Sequence, residues 1–307
     1  MNIALGTIPF GTGVGLRETF AILDRFQDAG GTMLDTANNY PFWNEGRTGD
    51  ESEEAIGAWL AARGNRDRMF IGTKGGARPS VPGDRTLDSA EGLSAAAVAR
   101  AAEGSLRRLR TDYVDLYWSH IEDRSVPLHE TLGALNTLAE QGKVRALGAS
   151  NIAAWRLERA RNLAGARGWL PYGHLQLRHT YLRPRPFTRL PEGGHTLASD
   201  DALDYVAAEP DVTLWAYNTL MAGAYTRSDR PMPEVYDHPG TARRLAVLGE
   251  VAGELCATPN QVVLAWLMAD GHVPVVGVST TAQLDEVVGA ADVKLDAELR
   301  ARLNAAA

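Results

Sequence analysis

Asp35, Tyr40, Lys74 and His120 are an acid, a phenol, an ammonium and an imidazole, together the parts of a proton-transfer site. Asp35 closes the apolar run Thr32-Met33-Leu34, and Tyr40 follows shortly after it. Lys74 comes after Met69-Phe70-Ile71-Gly72-Thr73, and His120 after Tyr113–Ser119. A phenol titrates near pH 10 on its own, too high for ready proton exchange at neutrality. An ammonium within hydrogen-bonding reach favours the phenolate and is expected to lower that value. Asp35 would hold Lys74 charged and in place. Taken alone, the Asp35–Lys74 pair would serve equally well as a buried structural ion pair. His120 shares a strand face with Leu116 and Trp118, because side chains alternate along a strand.

Each of these residues falls where a buried strand would end, so the elements around them matter. Strand-like runs occur at Ile3–Gly6, Met33–Asp35, Phe70–Thr73, Asp115–Ser119, Ala146–Ser150, His174–Gln176, Thr213–Ala216 and Val273–Val276. Helical periodicity occupies Arg17–Ala29, Glu51–Arg63, Ala95–Leu109, Leu128–Gln141, Ala153–Ala166, Ala202–Ala208, Ala242–Cys256 and Asn260–Asp270. Asp50, Asn151 and Thr258-Pro259 read as helix starts. Strands alternating with helices, without a break in composition, predict one (β/α)8 barrel domain over residues 1–307. In such a barrel the reacting groups sit at the carboxyl ends of several strands. An open doubly wound sheet is the other arrangement this pattern allows. Gly11-Thr12-Gly13-Val14-Gly15 imitates a dinucleotide fingerprint, but Leu16 stands where that motif needs glycine. The connections Thr36–Asp50, Leu177–Ser199 and Tyr217–Gly240 are long, and loops of that length are usually functional or disordered. They carry Phe42, Trp43, Arg178, His179, Tyr181 and Tyr225, and read as walls of a site.

Of 307 residues, 45% are apolar and 22% charged, as in a globular domain. The net charge of −7 argues against a nucleic-acid partner. Arg107, Arg108 and Arg110 read as a solvated helix end. No run is long enough to span a membrane, and no targeting segment precedes Ile3. Cys256 is the single cysteine, which excludes an internal disulfide and a cysteine zinc cluster. A cytoplasmic protein without a metal is therefore expected. His129-Glu130 lacks the second histidine of a zinc helix.

Leu34-Asp35-Thr36-Ala37 with Tyr40, Gly72-Thr73-Lys74, Ser119-His120, Gly142–Asn151 and Gly277–Leu284 together resemble the aldo-keto reductase family. The resemblance runs along nearly the whole chain in order. It implies a (β/α)8 barrel that reduces an aldehyde or ketone with a nicotinamide dinucleotide, NADPH in preference to NADH. It implies Tyr40 as proton donor, Lys74 and Asp35 as its tuners, and His120 as the residue that orients the carbonyl. Ser150, Asn151 and Gln176 would bind the carboxamide, Tyr217 would stack on the nicotinamide, and Leu220 would also bind the cofactor. Gly277, Ser279, Thr280 and Gln283 would line the cofactor phosphates and ribose.

Departures from the family pattern are visible. The usual N-terminal hairpin is missing. Asn218-Thr219 replaces Ser-Pro, Gly277 and Gln283 stand at positions often basic, and Val287 replaces a frequent asparagine. The segment after Tyr40 is longer than usual. Phe42, Trp43 and Arg178 are expected to face the substrate, a small oxygen-rich carbonyl compound. Two other readings are a nucleotide-binding regulator resembling potassium-channel β-subunits, and a lyase or isomerase using Lys74 as a Schiff base. Nothing in the sequence speaks to oligomeric state.

Overall fold

Eight parallel strands close into a barrel in chain order, with β8 paired back to β1. The computed structural model describes residues 1–188 and 193–306. The strands are β1 (Ala4–Gly6), β2 (Met33–Asp35), β3 (Phe70–Gly75), β4 (Val114–Ser119), β5 (Val144–Ser150), β6 (Tyr172–Arg178), β7 (Thr213–Tyr217) and β8 (Val273–Gly277). All the strands expected from sequence form, and most run one or two residues further. The closed order leaves no reversal of strand sequence, so the doubly wound arrangement is excluded.

Alternation along the strands sorts the side chains. Ala4, Leu116, Trp118, Trp215, Val273 and Val275 fill the barrel interior. Tyr117, Leu147 and Leu175 point outward into the larger core under the helices. Trp118 occupies so much of the interior that a Cβ on Gly148 would lie 2.2 Å from its ring, so only glycine fits there. His120, on the Trp118 face and just past the end of β4, is thereby aimed at the barrel mouth.

The helices are α1 (Leu16–Asp28), α2 (Glu51–Arg63), α3 (Ala95–Leu109), α4 (Leu128–Glu140), α5 (Ala154–Gly165), α6 (Asp200–Ala208), α7 (Pro239–Glu254), α8 (Pro259–Ala269), α9 (Thr281–Gly289) and α10 (Ala297–Ala305). The last two are not evident from helical periodicity. Both are nine residues long, and α10 buries only Leu303, so neither carries a broad apolar stripe. The strict alternation also needs correction, since two helices follow β7. Of these α8 packs on β8 and α9 as the ring helix, while α7 packs outside it on α8 and α10.

Thr258 caps α8 through a capping box with Gln261. Asp50 does not cap α2, for its backbone is already helical and its carboxylate goes to Arg78 and Arg108. Asn151 does not cap α5 either; it adopts φ +56° and turns toward the mouth. Arg108 is not merely solvated, because its Nε donates to the fully buried Glu53 at 2.7 Å. The Gly11 turn, at φ +75°, packs against the first turn of α2, where a Cβ would meet the Glu51 carbonyl at 2.7 Å. Residues 189–192 of the Leu177–Ser199 connection lie outside the described residues. Among the described residues, no helix is long and apolar enough to cross a membrane, and no acid, histidine or cysteine group could hold a metal.

Candidate active site

Asp35 is the last residue of β2, and Lys74 lies near the end of β3. Tyr40 is on the connection after β2, and His120 follows β4. The fold brings all four together. Lys74 Nζ donates to Asp35 Oδ2 at 2.6 Å, to the Thr36 carbonyl at 2.8 Å and to Tyr40 Oη at 3.1 Å. Lys74 is fully buried, Asp35 2% exposed and Tyr40 8% exposed. The His120 ring meets the Tyr40 ring edge-on, with centroids 5.7 Å apart.

The connection carrying Tyr40 is pinned by residues the sequence reading did not single out. The Ser52 hydroxyl joins Thr36 Oγ1 at 2.9 Å and Thr7 Oγ1 at 2.8 Å, tying the start of α2 to β1 and β2. Ser52 N donates to the Tyr40 carbonyl at 3.4 Å. Arg78 reaches both the Asn38 carbonyl and Asp50. A fixed loop holds the phenol in register with Lys74.

Electrostatics at the site corrects one expectation. Burial raises the Tyr40 phenol above its ordinary pKa; the Lys74 charge opposes this, and Asp35 adds to it. The ammonium alone would lower the phenol, but desolvation wins, so Tyr40 is held as a phenol. Burial also works against the Lys74 charge, yet Asp35 and Tyr40 outweigh it and raise the ammonium above ordinary lysine. Burial pushes His120 well below the usual histidine range, with the Lys74 and His195 charges adding to the effect. Its imidazole is neutral, and its buried Nδ1 has no partner among the described residues.

Ser150, Asn151, Gln176 and Tyr217 gather on the same mouth. Gln176 Nε2 donates to Asp35 Oδ1 at 3.1 Å, so this amide is joined to the acid. Asn151 Nδ2 donates to the His120 carbonyl and to Ser150 Oγ, and its Oδ1 accepts from Tyr217 Oη at 2.8 Å and Thr196 N at 3.0 Å. Leu220 is half-buried between two core clusters. Gly277 at the end of β8, and Ser279, Thr280 and Gln283 at the start of α9, are exposed. There the Gln283 side chain accepts from Ser279 N at 2.7 Å, and Thr280 caps the helix. Val287 is buried in the core.

Phe42 is buried, whereas Trp43 is 40% exposed, with its ring 6.0 Å from that of Tyr40. Arg178 is turned toward Asn218, whose amide oxygen can accept from Nε at 2.8 Å and Nη2 at 2.7 Å. It therefore braces the connection after β7, and it is Arg183 that pairs with Asp200. His195 joins the mouth without any mark in the sequence. The chain returns to β6 through an Arg178–Leu197 bridge and sets the exposed His195 ring 5.6 Å from that of Tyr217.

Residues 2–307 match the family model described as the aldo/keto reductase family. The chain belongs to the aldo-keto reductase family. It is 32% identical to the uncharacterized oxidoreductase YrpG of Bacillus subtilis, over 99% of this chain and 91% of that protein. It is 33% identical to the aldo-keto reductase str7 of Strobilurus tenacellus, over 92% of this chain and 78% of that protein. A shorter match, 36% identical, covers 53% of this chain and 42% of the NADP-dependent aryl-alcohol dehydrogenase of Phanerodontia chrysosporium. As an aldo-keto reductase, the chain is an oxidoreductase of carbonyl and alcohol groups that uses a nicotinamide dinucleotide.

Proposed function

We propose that this aldo-keto reductase reduces an aldehyde or ketone to an alcohol, with Tyr40 as proton donor and NADPH preferred over NADH. The observation that carries the reading is the Lys74 ammonium between Asp35 at 2.6 Å and Tyr40 at 3.1 Å, in a buried pocket. Tyr40 kept as a phenol is in the right protonation state to give up a proton to a carbonyl oxygen. Lys74 stabilises the phenolate charge then left on Tyr40 Oη, and Asp35 keeps Lys74 oriented. The neutral His120 supplies a hydrogen-bond donor that orients the carbonyl. When bound, the nicotinamide dinucleotide supplies the hydride.

The residues present fit that cofactor. Ser150, Asn151 and Gln176 offer donors and acceptors of the kind a carboxamide needs, and Tyr217 is a half-buried flat face beside them. Leu220, half-buried, would also contact the cofactor. Gly277, Ser279, Thr280 and Gln283 would meet the phosphates and ribose, in part through backbone N–H groups. A Schiff-base role for Lys74 is disfavoured, because its raised pKa keeps the amine protonated.

For substrate, we propose an aromatic aldehyde or ketone bearing further oxygens, lying against Phe42 and Trp43 with Arg178 and His195 on the opposite rim. The exposed Trp43 ring beside Tyr40 supports this, as does similarity to an aryl-alcohol dehydrogenase. Tyr40→Phe removes the donor and little volume. It is expected to lower kcat for carbonyl reduction on the order of 10²–10⁴-fold. Fluorescence titration should show unchanged NADPH binding, tighter than NADH. Near wild-type turnover, with chemistry rate-limiting, would overturn the assignment.

A further inference from the structure

A second concavity lies outside the barrel, between α6, α7, α8 and α10, with a volume of about 490 Å³. It shares no residue with the mouth described above. Its charge is unusual. Arg183, Arg244 and Arg300 line it, with His179 and His272, against the single acid Asp270. Arg300 pairs with Asp270 at 2.5 Å, and Arg183 pairs with Asp200 at the rim. Arg244 has no such partner. It is 8% exposed, yet among the described residues it forms no ion pair. Its Nη1 donates to the Tyr181 carbonyl at 3.1 Å, and its guanidinium lies 5.0 Å from the Tyr181 ring centre. The Tyr181 side chain also interacts with this guanidinium, which lines the cavity without a carboxylate.

A buried guanidinium without a carboxylate is costly unless something answers its charge. Burial, with the Arg183 charge adding to it, lowers the Arg244 pKa, while Tyr181 and Tyr225 pull the other way. Trp266 from α8 and Leu203 and Ala207 from α6 supply apolar wall, with Thr180 and Asn304 as further polar groups. A few convergent donors on a partly apolar wall suit a small ligand with one charged end.

We propose that this cavity binds a small organic anion, with its carboxylate or phosphate on the Arg244 guanidinium and its apolar body against Trp266 and Leu203. The planar fork of arginine matches either anion. The inference is independent of the reading of the mouth.

The test is calorimetric titration of the full chain with phenyl phosphate, benzoate and benzyl alcohol. One or both anions should bind, and Arg244→Gln should weaken that binding about tenfold or more. Benzyl alcohol should show no dependence on Arg244. Tighter binding of phenyl phosphate points to a phosphate ester, and tighter binding of benzoate to a carboxylate. Arg183→Gln, at the exposed rim, should weaken the anion about threefold by removing a screened charge. Leu203→Trp should abolish binding by filling the cavity while leaving every cation in place. If Arg244→Gln does not fold, these two variants decide. Carbonyl reduction by Arg244→Gln, without added anion, should equal wild type. Absence of anion binding, or affinity unchanged in the folded variants, would overturn the proposal.

Discussion

Lys74 and Arg244 are both cations removed from water, and the protein treats them in opposite ways. Lys74 is fully buried and is answered by Asp35 at 2.6 Å, a carbonyl and a phenol. Arg244, 8% exposed, is answered by the Tyr181 carbonyl at 3.1 Å and by the Tyr181 side chain, without a carboxylate. The first has its pKa raised and the second has it lowered. A buried cation matched by a carboxylate is fixed in position and can tune a neighbour. One left without a carboxylate keeps its charge available to something from outside. The mouth thus comes with its internal charges balanced, whereas the flank cavity does not.

The comparison is tested most strongly by removing each cation. Lys74→Met leaves Asp35 buried without its partner and should lower unfolding free energy by about 3–5 kcal/mol. It should also abolish most carbonyl reduction. Arg244→Met strands only one carbonyl and relieves a desolvated charge, so its cost should be about 1 kcal/mol or less. Urea unfolding of both variants measures the difference. Comparable losses would mean that Arg244 has an acidic partner in solution and that the contrast is false.

A smaller effect comes from the buried histidines. His179 is brought down to about 3, by burial first and then by the His272 and Arg183 charges. In the unfolded chain it titrates near 6.5. Between those values the unfolded state binds more protons, so the contribution of His179 is complete above about pH 6.5 and is lost as pH falls toward 3. His179→Asn should flatten the acid limb of the stability profile, read by urea midpoints from pH 7 downward. An unchanged slope would place His179 in solvent.

The smallest expected effect is at the rim of the mouth. Trp43→Ala removes an exposed ring that touches Tyr40 and Phe42 but takes no part in the buried charge network. It should lower kcat/KM for large aromatic carbonyls several-fold more than for a minimal aldehyde. Equal losses across a graded substrate series would show that Trp43 supports the Tyr40 loop and not the substrate.

Much of the barrel was legible because its signals are local. Apolar runs ending in Asp35, Lys74 and His120, and helical spacing between them, fix where strands stop. In a barrel, strand ends converge on one face. Leu116, Trp118 and His120 share a face by alternation alone, and the capping box at Thr258 is written in four consecutive residues. Short α9 and α10 escaped because their apolar stripes are narrow. What depends on distant partners was not legible. Gln176 meets Asp35 across 141 residues, His195 reaches Tyr217 only because its loop returns to β6, and Arg178 turns to Asn218. The direction in which Tyr40 titrates also needed the folded chain. Residue types name the opposing effects, a nearby ammonium and desolvation, but only packing says how completely water is excluded. The cavity at Arg244 is the extreme case: its lining comes from α6, α7, α8 and α10, and no stretch of sequence announces that an arginine will be buried without an acid.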